Sequence, residues 1–191
     1  MPADGAARPS PDQLARAEGN SVPDVIAPDL EVLFCGINPG LWSAAVGHHF
    51  ARPGNRFWKA IHAAGFTEEL LLPFEEDKLL ACGVGVTNLV GRATASAGQV
   101  SRDELRRGAG GLARKARRWR PKAVAVLGLD AFRAAFDRPK AAVGEQQERL
   151  GDSLLWLLAN PSGAQARYQL HDLVAELRRL RSAIARGPPR Q

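Results

Sequence analysis

The sequence predicts an α/β fold: a three-layer α/β/α sandwich around a short, mainly parallel central sheet. Three observations carry that expectation. Apolar runs of strand length alternate with amphipathic stretches of helix length, and such alternation buries a parallel sheet under helices on both sides. The runs are apolar throughout rather than at every second residue, as in strands covered on both faces. With 191 residues, 45% hydrophobic and 24% charged, the chain can bury roughly 70% of its unfolded surface as one domain.

Taken in order, residues 1 to about 28 are rich in Ala, Pro and Asp and show no sustained apolar period. They are expected to form a flexible tail over 1–25 with a loose lead-in to Pro28. The folded domain is expected over 26–185. Leu30 to Ile37 reads as the first strand, Asn55 to Ala64 as a helix and Val84 to Val90 as the second strand. Ser101 precedes Glu104 by three residues, as in a capping box, and opens a helix over Arg102 to Trp119 that Pro121 closes. Ala123 to Leu127 is the third strand, Asp130 to Phe136 a short helix, Leu154 to Ala159 the last strand and Tyr168 to Ala185 the last helix. Crossovers between parallel strands should be right-handed. Residues 186–191, with Gly187-Pro188-Pro189, form a second expected tail.

Composition excludes several classes. Cys35 and Cys82 are the only cysteines and both lie in apolar runs. They read as small buried hydrophobes, which rules out a secreted disulfide scaffold. No apolar stretch approaches the ~20 residues of a bilayer crossing, and the N-terminus lacks the basic start and apolar core of a secretory signal. A cytoplasmic protein with no membrane partner is the default expectation. The formal charge is +6, with nine Lys or Arg between Arg102 and Lys122 against only Asp103 and Glu104. A polyanionic partner is one reading and solvated helix faces the other; charge alone does not choose.

Ligands of open parallel sheets gather at the carboxyl ends of strands. The first strand runs into Gly36-Ile37-Asn38-Pro39-Gly40 and the last into Asn160-Pro161-Ser162-Gly163. Proline fixes φ and glycine permits tight geometry, so each turn can hold its Asn amide rigidly at a strand end. One such turn is ordinary punctuation, but two at equivalent places suit recognition or the positioning of water. Neither matches a dinucleotide fingerprint or a phosphate loop, so no cofactor is expected. His48 and His49 read as an exposed, incidental loop pair. With no Cys or acidic residue at ligand spacing beside them, no metal site is expected.

Four ordered blocks carry a resemblance. They are Val32-Leu33-Phe34-Cys35-Gly36-Ile37-Asn38-Pro39-Gly40-Leu41, then Phe50-Ala51-Arg52-Pro53-Gly54-Asn55-Arg56-Phe57-Trp58, then Gly85-Val86-Thr87-Asn88-Leu89-Val90, then Asn160-Pro161-Ser162-Gly163. Together they resemble the mismatch-specific uracil-DNA glycosylases, bacterial relatives of thymine-DNA glycosylase, over about residues 26 to 183. The resemblance implies a uracil-DNA glycosylase-like fold and excision of uracil, chiefly opposite guanine, with thymine and other damaged bases as further candidates. The N-glycosidic bond would be hydrolysed without metal or cofactor, by a monomer acting on double-stranded DNA with a mispaired or damaged base.

By the same resemblance Asn38 would hold the attacking water. An amide cannot take a proton as a carboxylate does, so catalysis must rest on water placement and on stabilising the departing base anion. Gly36, Ile37 and the loop to Ser43 would surround the base with backbone donors. Phe50 would stack on it as an exposed aromatic, and Asn160 would line the site. The loop Ser162, Gly163, Ala164, Gln165, Arg167 would enter the minor groove and fill the gap left by the flipped nucleotide. Two departures from the family stand out. Ala164 is small where a larger apolar wedge is usual, leaving Gln165 to fill the gap. The segment Gly91 to Ala97 carries no carboxylate, and Ala93 is where one would activate water from the far side of the pocket. The alternatives are a non-catalytic lesion-binding module of the same fold, and a hydrolase using Ser162. Proline before that serine speaks against the latter.

Overall fold

The computed structural model describes residues 8–162 and 168–187. Strands β1 (Val32–Gly36), β2 (Val84–Asn88), β3 (Ala123–Leu127), β4 (Gly144–Leu150) and β5 (Ser153–Leu158) form one sheet in the order β2-β1-β3-β5-β4. The first four in that order run parallel, with Val32 opposite both Val84 and Ala123, and Ala123 opposite Leu154. β4 pairs antiparallel with β5 on the outer edge.

Strand periodicity sorts the apolar residues into two cores. Val32, Phe34, Val84, Val86, Ala125 and Trp156 pack with Phe57, Trp58, Leu173, Leu177 and Leu180. These come from α3 (Phe57–Ala63) and α6 (Leu170–Arg186). The alternate residues Leu33, Cys35, Val124, Val126, Leu155 and Leu157 pack on the other side with Leu112, Ala116 and Phe132, from α4 (Arg102–Trp119) and α5 (Leu129–Ala135). The result is the expected three-layer α/β/α arrangement. Cys35 is fully buried, and burial pushes its thiol far above the ordinary range, so it acts as a small hydrophobe. Cys82 is half-buried and free.

The predicted bounds of α4 coincide with the observed ones because its caps are local. Ser101 Oγ accepts from the Glu104 N–H, and Glu104 Oε2 accepts from the Ser101 N–H at 2.9 Å. Leu105, Ala109, Leu112 and Ala116 recur on the buried face. Gly108 lets the helix touch the loop after β2, since a Cβ there would lie 2.4 Å from the Leu89 carbonyl oxygen.

Three features depart from expectation. The lead-in contains α1 (Pro11–Arg16), held by a reciprocal Ser10–Gln13 capping box. Beyond it, Val25 exchanges two backbone hydrogen bonds with Val86 on the free side of β2. Residues 8–25 are thus structured against the domain rather than loose, because they close a sheet edge. β4 was not anticipated; its sequence GEQQERL is polar and mostly exposed, as an edge strand permits. Finally, α2 (Leu41–Val46) and a stretch of 3₁₀ turns over Pro73–Cys82 fill the connection between β1 and β2.

Candidate functional site

The carboxyl ends of β1, β2, β3 and β5 open into a cleft of about 690 Å³, a size suited to a small ligand. Gly36, Ile37, Asn38, Ser43, Phe50, Asn160 and Ser162 all line it, as do His49, Arg52, Asn55, Asn88, Thr94 and Leu127. The two Asn-Pro corners and the phenyl ring therefore meet in one place. A neighbouring groove is more apolar, bounded by Leu41, Trp42, Val46 and Phe74. It is lined by none of the four asparagines, Asn38, Asn55, Asn88 and Asn160, that line the cleft.

Asn38 is fixed by what its amide nitrogen can do. Its Nδ2 donates to the Arg92 carbonyl at 3.0 Å, to Thr94 Oγ1 at 2.8 Å and to the Pro39 carbonyl at 3.2 Å. The Thr94 hydroxyl spends its own proton on the Ser96 carbonyl at 2.7 Å, so it faces Asn38 as an acceptor. The amide cannot turn over without setting acceptor against acceptor. Among the described residues Oδ1 has no partner, which leaves it as a fixed acceptor at the cleft wall. The loop holding Asn38 is tied to α4 in turn. Arg92 grips Glu104 through Nε at 2.6 Å and Nη2 at 3.0 Å. That guanidinium, with the Ser101 donors, holds the Glu104 carboxyl far below the usual carboxylate range.

Phe50 is half-buried rather than exposed. Its ring stacks on Phe57 with centroids 4.1 Å apart and planes 26° from parallel. Its backbone sits at φ +52°, a region uncommon for a residue with a Cβ. Two contacts help hold it there: the Phe57 stack, and the Ala51 N–H donating to Ser43 Oγ at 3.1 Å. Ser43 is buried, so its oxygen secures the Phe50 loop as well as lining the cleft. Gly36 lies beneath: a Cβ there would come within 2.4 Å of Asn88 Oδ1 and 3.4 Å of Phe50 Cζ. Asn160 Oδ1 accepts from the Ser162 N–H at 2.9 Å, which makes Asn160 the brace of its own turn.

The expected histidine pair is corrected. His49 is only 2% exposed because its ring is drawn under the Pro23 carbonyl, 2.9 Å from Nε2. His48 is half-exposed and sits 2.9 Å from Glu76 Oε1. Ala93 is corrected too. It is fully buried, its backbone bonded to Gly19 and Asn20, so a carboxylate there would lie beneath the N-terminal segment. Gly163, Ala164, Gln165 and Arg167 lie outside the described residues. Arg56 collects the carbonyls on both flanks of that stretch: Pro161 at 3.3 Å, Ser162 at 2.8 Å, and Tyr168.

A model of the uracil DNA glycosylase superfamily matches residues 23–181. The chain belongs to that superfamily. The match begins at Pro23, inside the segment expected to be a tail, and runs into α6, so it covers every strand of the sheet. Superfamily membership makes the chain a DNA glycosylase, a hydrolase acting on DNA. Sequence reading assigns Asn88, Thr94 and His49 no role in this glycosylase's cleft. Asn88 carried a usable signal: a polar residue ending an apolar parallel strand, as Asn38 and Asn160 follow theirs. Thr94 and His49 carried none, since their partners lie 56 and 26 residues away.

The cations are also placed. α4 ends beside the amino ends of the strands, where the Asp29 N–H meets the Trp119 carbonyl. Its C-terminal arginines therefore lie at the far end of the sheet from the cleft. Arg52, on the cleft rim, is exposed and makes no ion pair among the described residues.

Proposed function

We propose that this protein is a monofunctional glycosylase that flips uracil from a mispaired duplex and hydrolyses its N-glycosidic bond, leaving an abasic site. The observation that carries this reading is the Asn38 amide. Three acceptors pin its nitrogen, so its oxygen is a ready hydrogen-bond acceptor for a water. A water donating to that oxygen turns a lone pair toward the sugar carbon. The bond to the base loosens first, and the base leaves as an anion among backbone donors near Ile37. With no carboxylate among the described lining residues to take it, the water's proton passes to solvent as the new C–O bond forms, and turnover is slow.

Phe50 gives the base its flat wall, and Asn88 Oδ1, beside the ring, meets its edge. Uracil held at N1 has one donor on that edge, N3–H, so an acceptor there selects it. Extrusion costs a few kcal/mol and is cheapest at a mispair, which favours uracil opposite guanine, with thymine a further substrate. Arg52 and Ser162 contact phosphates at the mouth, and the segment around Ala164, Gln165 and Arg167 fills the vacated stack. A small Ala164 makes the enzyme tolerant of the opposite base.

Duplexes with uracil opposite G, opposite A and in single strands, treated with protein and then hot alkali, test the reading. Cleavage at uracil is expected, fastest opposite G. Asn38→Ala should slow it by about 10²–10⁴-fold while leaving duplex affinity in place. Release of uracil by that variant at the wild-type rate would overturn the proposal. Binding without cleavage by the wild type would make the protein a lesion-binding module. Equal rates on all three substrates would remove the mispair preference alone.

A further inference from the structure

The contacts of His49 fix more than its own position. Its backbone N–H donates to Glu76 Oε2 at 2.8 Å, its Nε2 faces the Pro23 carbonyl at 2.9 Å, and its Nδ1 lies 3.4 Å from Asn88 Nδ2. A carbonyl oxygen only accepts, so Nε2 carries the proton. In a neutral imidazole that leaves Nδ1 an acceptor. Burial lowers the affinity of His49 for a second proton, which keeps the ring neutral.

The consequence passes to Asn88. Facing an acceptor, its amide must turn the NH₂ end toward His49 and the oxygen toward Gly36 and the Phe50 ring edge, where the structure has it. Isolated asparagine amides present either end; this one is told which to present. We propose that His49 is the positioning residue that sets the hydrogen-bond polarity of Asn88, so that a flipped base meets an acceptor and must bring N3–H. The instruction originates at the Pro23 carbonyl, in the N-terminal strap that pairs with β2. The inference rests on the base-excision reading above and adds to it a device for discriminating uracil-type from cytosine-type bases, whose N3 bears a lone pair.

Protonation supplies a second consequence. A proton on Nδ1 makes it a donor, which only the Asn88 oxygen can meet, so the amide reverses and offers NH₂ to the base. The charged and titratable groups around His49 are Glu76 on its backbone, the neighbouring His48, and Asp24 with Lys115, which pair at 2.5 Å.

The test measures kcat/KM for 5-fluorouracil and 5-fluorocytosine, each opposite guanine in the same duplex. These bases differ at the edge under discussion and share an activated leaving group. For the wild type the ratio should strongly favour 5-fluorouracil at pH 7, where that base keeps its N3–H and His49 is neutral. His49→Leu should reduce the ratio by about tenfold or more. His49→Asn, whose amide oxygen can still accept from Asn88, should recover part of it. A merely structural role would move both substrates together and leave the ratio alone. A folded His49→Leu with the wild-type ratio overturns the assignment. Should His49→Leu fail to fold, His49→Phe, a ring with no nitrogen to accept from Asn88, takes its place with the same two outcomes. No release of 5-fluorouracil by the wild type would remove the excision reading and this one with it.

Discussion

Single atoms decide the chemistry of this cleft. Gly36 has room for hydrogen only, because the Asn88 oxygen and the Phe50 ring edge share the space a methyl group would take. Its backbone lies in a region open to any residue, so the constraint is contact and not conformation. Gly36→Ala should therefore fold, with a midpoint in urea close to the wild type, yet displace both side chains from the base. A shift of this size costs about 10²-fold in kcat/KM for uracil. Unchanged activity would mean that neither side chain meets the substrate. The same scale shows where sequence reading stops. Asn38 stands in a turn motif that carries its own chemistry, and Phe50 in a block whose family resemblance singles it out. His49 was taken for an exposed loop residue because its burial depends on Pro23, brought over it by a segment with no apolar period of its own.

At the scale of elements, what was legible was what is locally determined. β1, β2, β3 and β5 are apolar on both faces and stood out as runs. α4 carries both its start signal, Ser101-x-x-Glu104, and its stop signal, Pro121, in sequence. β4 was hidden because an edge strand needs a partner on one side only and can be polar. α1 was hidden because six residues with Leu14 alone as a large apolar side chain give no period, although its Ser10–Gln13 box was there to be read. Packing of α4 makes a paired prediction. Gly108→Ala drives a methyl into the Leu89 carbonyl and should cost about 1–3 kcal/mol. Gly110→Ala, with nothing nearer than an Arg114 side chain at 3.7 Å, should stabilise by about 0.5–1 kcal/mol. Urea denaturation of the two variants checks this, and equal effects would mean that α4 does not press on that loop.

For the whole molecule, the position of charge matters more than its total. The formal +6 does not choose between a polyanionic partner and solvated helix faces, and the densest cations lie at the end of the sheet remote from the cleft. Near the mouth, Arg92 is engaged by Glu104 and Arg56 by backbone carbonyls, which leaves Arg52, among the described residues, as the rim cation open to phosphate. Arg52→Ala should weaken duplex binding uniformly across sequences and reduce the slope of log K against log salt by about 1. Fluorescence anisotropy over a salt series measures it. An unchanged slope, with the same loss from Arg117→Ala, would place the duplex on the opposite end of the protein.

Each border of the sheet carries a guard against edge-to-edge pairing: the Val25 bridge caps β2 at Val86, and Glu145, Glu148 and Arg149 put charge along β4. A second copy approaching either border would meet a strap or a row of charged side chains before it met a strand, so the segment that instructs His49 also shields an edge of the sheet.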